Sequence, residues 1–351
     1  MAPSITSWSG GNMKALVTGA TGFLGKCVVA ELLAQGAEVR CLVRPKSDIQ
    51  SLRELVVSKG AGCLTLMFGT LANSDDCETA MKGCDTVFHL AAAMKGATAV
   101  LFQHNVVGTQ MLIELAGKCR VGRFVLVSSL GVYGTHELRV GDVLDEQCPL
   151  DAKPHARDPY SYSKVAQERA AHVAAEKANV PLVIVRPGVI YGPGRDCITS
   201  RLGLRIGRRL VLMGGCQQLP YTFVQNCAEA IVLAGTVPGI AGEAFNIIDD
   251  DPPTANALLR MYRRKVGKLR SIRIPHSMIL PVSRFCEWYH RYSNGQLPAV
   301  LTPYKSAAMW KRLKYSNSKA KRLLGWKPRV PFQTGLERTL SVWGKQSKAE
   351  M

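Results

Sequence analysis

The chain has 351 residues, 47% hydrophobic and 20% charged. That is enough for one large α/β domain or a core domain with a smaller companion, and no stretch is polar enough to require disorder beyond the ends. The formal net charge of +19 is uneven, because residues 252–351 hold 21 Lys plus Arg against 3 Asp plus Glu while the first 251 residues are close to neutral. No apolar run reaches the ~18 residues of a membrane span, the N-terminus lacks a secretory pattern, and the 11 cysteines are scattered without a C-x-x-C pair. These features predict a soluble, cytoplasmic chain with neither disulfides nor a bound metal. The basic C-terminal third suits an anionic partner, whether nucleotide, charged substrate or acidic membrane surface, and equally a solvated basic face. No nucleic-acid-binding module accompanies the charge, so nucleic acid is not expected.

Residues 1–12 read as a flexible extension, with Met13 an alternative start. The apolar run KALVT (14–18) then reads as a buried strand that enters the turn TGATGFLG and the helical pattern FLGKCVVAELLAQG. Further strands are expected at 38–44, 63–68, 85–91 and 123–129, with amphipathic segments between them. Alternation of this kind gives an α/β doubly wound parallel sheet, a Rossmann fold, whose ligands bind beyond the carboxyl ends of the strands. After a Pro-, Asp- and His-containing loop (141–159), YSYSKVAQERAAHVAAEKA reads as a long helix and 180–187 as a strand. Residues 13–195 are therefore expected to form the dinucleotide-binding domain. Residues 196–351 are expected to form mainly a smaller, basic C-terminal substrate-binding lobe, with some segments returning to the core. In that lobe 243–248 reads as a strand, and 254–266 and 317–324 as helices.

Gly19, Gly22 and Gly25 are spaced G-x-x-G-x-x-G. Glycine there permits the tight turn, close backbone approach to a pyrophosphate and close helix-to-strand packing, while the helix N-terminus faces the negative charge. Gly19, Thr21, Gly22, Phe23, Leu24 and Gly25 are thus candidate cofactor-binding residues. Where an NAD enzyme presents a carboxylate to the adenosine ribose, the chain offers Arg44-Pro45-Lys46-Ser47. A guanidinium pairs with a 2′-phosphate through two hydrogen bonds, so NADP is expected to be preferred over NAD.

The segment PYSYSK (159–164) holds two tyrosines. Each helical residue advances by about 100°, which puts Tyr160 on one face with Lys164 and Tyr162 on nearly the opposite face. A phenol of pKa about 10 needs a nearby cation to shuttle protons at neutral pH, and Lys164 is the candidate. An isolated Y-x-x-x-K pair is common on helices, so the context decides.

That context resembles the extended short-chain dehydrogenase/reductase family. The motifs TGATGFLG, DTVFHLAAA (85–93), NVVGT (105–109), SSLGVYG (128–134), YSYSK and RPGVIYGPG (186–194) stand in family order over roughly the first 195 residues. The resemblance implies that Tyr160 is the catalytic tyrosine, that Lys164 also bonds the nicotinamide ribose, and that Ser129, not Ser128, bonds the substrate oxygen. It further implies that Leu90, Ala91 and Ala92 line the cofactor and that Pro187, Gly188 and Val189 approach its carboxamide. Gly69-Thr70-Leu71 departs from the family's G-D-L, which leaves the adenine contact open.

Ser129 is followed by Leu130-Gly131 rather than the Asp-Glu pair of sugar dehydratases, so dehydration is not expected. The segment FVQNCAEA (223–230) resembles the reductase and 3β-hydroxysteroid dehydrogenase-like branches and lacks the Arg-Asp-Tyr run of many sugar epimerases. The expected activity is hydride transfer between nicotinamide and a hydroxyl/ketone substrate. A nucleotide-sugar epimerase is the alternative, and a non-catalytic dinucleotide-binding protein the weaker one. Trp288, Tyr289, Trp310 and Trp326, set among basic residues, could bind a lipid-like body with an anionic head or pack the small lobe. HSMILPVSRF (276–285) is too short to span a bilayer and could rest on a membrane surface. The family resemblance implies a homodimer formed through helices near 100–118 and 160–178.

Overall fold

The computed structural model describes residues 13–59, 63–207, 209–267, 269–293, 296 and 301–349; the extension expected over 1–12 lies outside them. The first half alternates strand and helix. The elements are β1 (Lys14–Thr18), α1 (Phe23–Ala34), β2 (Glu38–Val43), α2 (Gln50–Lys59), β3 (Cys63–Phe68), α3 (Ser74–Met81), β4 (Thr86–His89), α4 (Thr98–Phe102), α5 (Gly108–Lys118) and β5 (Arg123–Val127). A π-helical turn over Gln103–Val107 joins α4 to α5, so residues 98–118 run as one helical rod. A short strand β6 (Val143–Leu144) and helix α6 (Pro159–Ala178) follow, then β7 (Leu182–Pro187) and β8 (Val189–Tyr191).

Seven parallel strands order as β12-β7-β5-β4-β1-β2-β3, β12 being Ala244–Ile247. Successive residues point to opposite faces of a strand, and the core divides accordingly. Ala15, Val17, Val125, Val127, Val183 and Val185 pack with residues of α1 and of α7 (Val224–Thr236). Leu16, Phe124, Leu126, Leu182 and Ile184 pack with residues of α3, α5 and α6 on the other face. Both faces are covered, which is why these strands read as continuous apolar runs.

The C-terminal part completes this core and adds a lobe. Strand β12 forms an edge of the main sheet, while α7 lies against α1. The lobe contains the sheet β13-β10-β9 (Arg270–Ile274, Arg209–Met213, Gly203–Ile206) and the pair β8-β11 (β11, Tyr221–Phe223). Its helices are α8 (Ala255–Lys265), α9 (His276–Tyr292) and α10 (Pro303–Trp310). The short strand β14 (Lys314–Tyr315) pairs with β6, and α11 (Ser318–Leu324) and α12 (Phe332–Ala349) close the chain. Helix α9 runs through Pro281, a residue that argues against a helix interior because it removes a donor; this helix was not expected from the sequence.

Candidate active site

The order of the strands reverses between β1 and β4, and a cleft of about 890 Å³ opens there, beyond their carboxyl ends. Gly19 has φ +75°, and a Cβ on it would lie 2.7 Å from the Ala91 amide nitrogen; one on Gly25 would lie 2.1 Å from the Gly19 carbonyl oxygen. The loops after β1 and β4 therefore touch at backbone level, and α1 starts directly under the turn. Its N-cap, Gly22, offers no side chain to the helix amides. An uncapped, glycine-framed helix N-terminus at the mouth of a cleft fits a dinucleotide pyrophosphate.

Every residue nominated from the sequence as a cofactor or catalytic group lines this one cleft: Gly19, Thr21, Gly22, Phe23, Leu24, Gly25, Arg44, Leu90, Ala91, Ala92, Ser129, Tyr160, Lys164, Pro187 and Val189. Arg44 is exposed and has no ion-pair partner among the described residues. At the departure from G-D-L, Gly69, Thr70 and Leu71 line the cleft, and the Thr70 amide donates to Asp76 Oδ2 of α3 at 2.9 Å, a carboxylate that holds the loop and does not itself line the cleft.

The two ambiguities in the sequence resolve in opposite environments. Ser129 opens onto the cleft, its Oγ accepting from the Gly131 amide at 3.0 Å, whereas Ser128 is 5% exposed with an Oγ that lacks a partner. Tyr160 lines the cleft, with the Lys164 Nζ 6.0 Å from its ring centroid. Tyr162 packs edge-on against Phe102 at 4.7 Å. Tyr133 is no rival, because its hydroxyl is buried, donating to Asn246 at 2.7 Å and accepting from Arg186 at 2.8 Å. Arg186 also clasps Glu168 of α6 at 2.6 Å, so the loop after β5, helix α6 and the edge of the sheet are tied together.

One expectation is corrected. Tyr160 is pushed up to about 12, by burial first and by Asp158 second, and the cation that opposes the rise is Arg195 rather than Lys164. The reason is geometric: the Lys164 amine donates to the Val127 carbonyl at 2.9 Å and to Gln167 Oε1 at 2.8 Å. Burial lowers Lys164 to about 8, with Glu168 opposing.

Beneath Lys164 lies a polar chain that the sequence reading missed. Gln167 Nε2 donates to Thr109 Oγ1 at 2.7 Å, and Thr109 donates its single hydroxyl proton to the Asn105 carbonyl at 2.7 Å. The remaining contact of Thr109, to His89 Nε2 at 2.9 Å, must then be accepted by the hydroxyl oxygen. His89 thus carries its proton on Nε2 and accepts from Thr18 on Nδ1 at 2.7 Å. Burial, and then the charge of Lys164, lowers His89 to about 3, so it stays neutral. Asn105 reaches elsewhere, bonding both backbone groups of Ala93 and the hydroxyl of Ser163. The i,i+3 spacing of Lys164 and Gln167 was the available signal for the first link; His89 and Thr109 lay within quoted motifs, but nothing local shows that they meet.

A doubly wound sheet with a glycine-framed cleft at its switch point, and serine, tyrosine and lysine side chains converging there, defines the class of nicotinamide-dinucleotide-dependent enzymes. A sequence profile described as the NAD dependent epimerase/dehydratase family matches residues 15–247, and the chain belongs to that family. It is 30% identical to a 2-alkyl-3-oxoalkanoate reductase of Stenotrophomonas maltophilia, over 93% of this chain and 98% of that protein. It is 28% identical to the decarboxylating sterol-4-alpha-carboxylate 3-dehydrogenase of Mus musculus, over 93% of this chain and 90% of that one. Among solved structures it superposes on a dTDP-glucose 4,6-dehydratase from Streptomyces venezuelae with a TM-score of 0.71 at 23% identity, over 96% and 98% of the two chains, a likeness of fold. The protein is an NAD(P)-dependent oxidoreductase.

Proposed function

We propose that the protein reduces a ketone, or oxidises the corresponding secondary alcohol, through Tyr160, Ser129 and Lys164, with NADP(H) preferred. The observation that carries this reading is that Ser129 and Tyr160 open onto the cleft that frames the dinucleotide, while the Ser128 hydroxyl at the cleft floor is buried and Tyr162 packs on Phe102 outside the cleft. When bound, the nicotinamide supplies the hydride that adds to the carbonyl carbon. Tyr160 gives its hydroxyl proton to the carbonyl oxygen, and Ser129 Oγ donates a hydrogen bond to the same oxygen as negative charge builds on it. Val127 and Gln167 take two donors of the Lys164 ammonium, and the third has no partner among the described residues and is available to the cleft. That donor suits the nicotinamide ribose, while the cation that favours the phenolate Tyr160 becomes, against the upward push of burial, is Arg195.

Tyr160→Phe is expected to lower kcat by 10²-fold or more, on the order of a lost general acid, with NADPH affinity kept, and Tyr162→Phe to stay near wild type. Steady-state rates together with NADPH fluorescence titration check this, and a Tyr160→Phe protein with a near-normal rate would sink the assignment. The NADP preference is supported by Arg44, exposed and unpaired among the described residues at the end of β2. Arg44→Ala should weaken NADPH binding about tenfold, one charge-assisted bidentate contact, while NADH binding holds. An unchanged ratio of the two dissociation constants removes Arg44 from the argument.

The names of both relatives describe acids in which the carboxylate sits on the carbon next to the oxygen-bearing one, attached to an apolar body. A substrate of that type agrees with the mixture of cations and apolar side chains lining the cleft. Homodimerisation through the outer faces of the helical rod 98–118 and of α6, and peripheral contact with an anionic membrane surface, belong to the same reading. They are supported by exposed Val107 and Val173 and by the basic C-terminal third, respectively.

A further inference from the structure

The cleft carries more positive charge than dinucleotide binding and proton transfer require. Besides Arg44 and Lys164, it is lined by Arg157, Arg195, Arg201 and Lys305, and the lone carboxylate among its described lining residues is Asp158. Two of these arginines are visibly engaged. Arg157 is buried with Nη1 donating to the Gly131 and Tyr133 carbonyls and with Asp151 Oδ2 3.6 Å away. Arg201 spends Nη1 on the Ala308 and Met309 carbonyls of α10, at 3.0 and 3.4 Å, and has no carboxylate partner among the described residues.

Arg195 differs from both. Its guanidinium, half-buried, makes no hydrogen bond or ion pair with any described residue and stacks over the Phe23 ring, 5.4 Å from the centroid. Its backbone is fixed, the amide donating to the Gly192 carbonyl at 3.1 Å. The neighbouring carboxylate, Asp196, is turned to Arg205 at 3.4 Å. Its N–H groups reach the open cleft and none is a buried orphan, so an anion entering the cleft can take them without breaking a bond to any described residue. Stacking on an aromatic face leaves its planar edge, which carries those donors, free for a bidentate partner. Its charge is felt at Tyr160, where it opposes the rise caused by burial. The unspent donors thus sit within electrostatic reach of the reacting oxygen, while Met94, Leu204, Met309 and Trp310 give the cleft an apolar wall.

We propose that Arg195 forms a carboxylate-binding subsite beside Tyr160, and that the substrate is a 3-oxo or 3-hydroxy acid with an apolar body. This rests on the hydroxyl/ketone reading above and adds to it the group that fixes the substrate's orientation. A carboxylate paired with Arg195 sets which face of the adjacent carbonyl meets Tyr160 and Ser129. The same guanidinium chemistry could serve the pyrophosphate of the dinucleotide, since Phe23 opens α1, and the experiment separates the two anions.

The test compares wild type with Arg195→Gln and Arg195→Lys, using a 2-alkyl-3-oxoalkanoate, its methyl ester and NADPH. Wild type should prefer the acid. Arg195→Gln should lose about 30-fold or more in kcat/KM for the acid, the scale of one buried charge-assisted contact, with the ester changing by far less and NADPH affinity held. Arg195→Lys should recover part of the loss. Equal losses on acid and ester overturn the subsite, as does absence of any acid preference in wild type. A loss confined to the dissociation constant of NADPH overturns it in favour of the pyrophosphate. Calorimetric binding of the acid to protein saturated with NADP⁺ reads the Arg195→Gln contrast without turnover. If no carbonyl compound is reduced, the oxidoreductase chemistry proposed for Tyr160 fails, and the acid's binding still decides for or against Arg195.

Discussion

Lys164 stands behind Tyr160 in the proposed chemistry, and the groups that hold it set what it can do. Two of its donors are committed inside the protein, to Val127 and Gln167, and the polar chain through Thr109 ends on a neutral His89. Neutrality matters, because a second cation beneath Lys164 would work against its ammonium, already lowered to about 8 by burial. His89 is faced by Thr18 from its own sheet, by Thr109 of α5, by the Phe124 ring at 5.9 Å and by the charge of Lys164 from α6. Its folded pKa of about 3 lies below the ordinary 6.5, so between those values the unfolded chain binds a proton that the fold refuses. The stability from keeping His89 neutral is therefore complete above pH 6.5 and drains away as pH falls toward 3. For these values the linkage amounts to about 2.5 kcal/mol between pH 7 and 4.5, as an upper bound. Denaturant unfolding at the two pH values should show wild type losing up to that much more than His89→Asn does. Parallel losses in both proteins would show that His89 titrates normally.

At the scale of elements, what could be read from the sequence was what is local. The glycine turn and α1 follow from three glycines between an apolar run and a helical pattern, and the choice of Tyr160 follows from a helix rotation of about 100° per residue. The structure puts both in one cleft. Helix α9 was not legible because Pro281 breaks the pattern from within; the helix packs through Ile279 and Ser283, whose Oγ lies 2.6 Å from Ser306 Oγ of α10. The short strands of the lobe were equally hidden, since two to five residues carry too little periodicity to read. Nor could the environment of Tyr160 be deduced: helical phase put Lys164 beside it, but the cation that acts on it, Arg195, comes from a loop 35 residues away, and burial outweighs it. Links between distant positions, such as His89 to Thr109 and Thr109 to Gln167, are a product of the sheet order and leave no mark on either segment.

For the whole molecule, the question is which surfaces meet other bodies. Most of the excess charge lies in the last hundred residues, and there α9 turns an apolar stripe to solvent: Phe285 is 61% exposed, Trp288 56% and Tyr292 73%. These rings stack on one another, Phe285 on Tyr289 and Trp288 on Tyr292, with centroids 6.3 and 5.5 Å apart. Exposed Arg284 and Arg291 flank the stripe on the same helix. No described helix is long and apolar enough to cross a membrane, but aromatic rings beside arginines suit the headgroup region of an anionic bilayer. Because α9 rests on α10, whose Met309 and Trp310 line the cleft, docking of this face would bring the cleft's apolar wall near the bilayer that stores apolar substrates. Each ring buried adds roughly 1.5–3 kcal/mol and each arginine about 1 kcal/mol at an anionic surface. The protein should therefore float with phosphatidylglycerol vesicles, less with phosphatidylcholine, and the Trp288 emission should shift to the blue. The double variant Phe285→Ser, Trp288→Ser should stay at the bottom of the gradient with its kcat on a soluble substrate retained. Light scattering tells this face from the proposed dimer surface on α5 and α6. A double variant that loses its partner copy but still floats would assign α9 to self-association, whereas a dimer that persists in the variant while flotation is lost assigns it to the membrane.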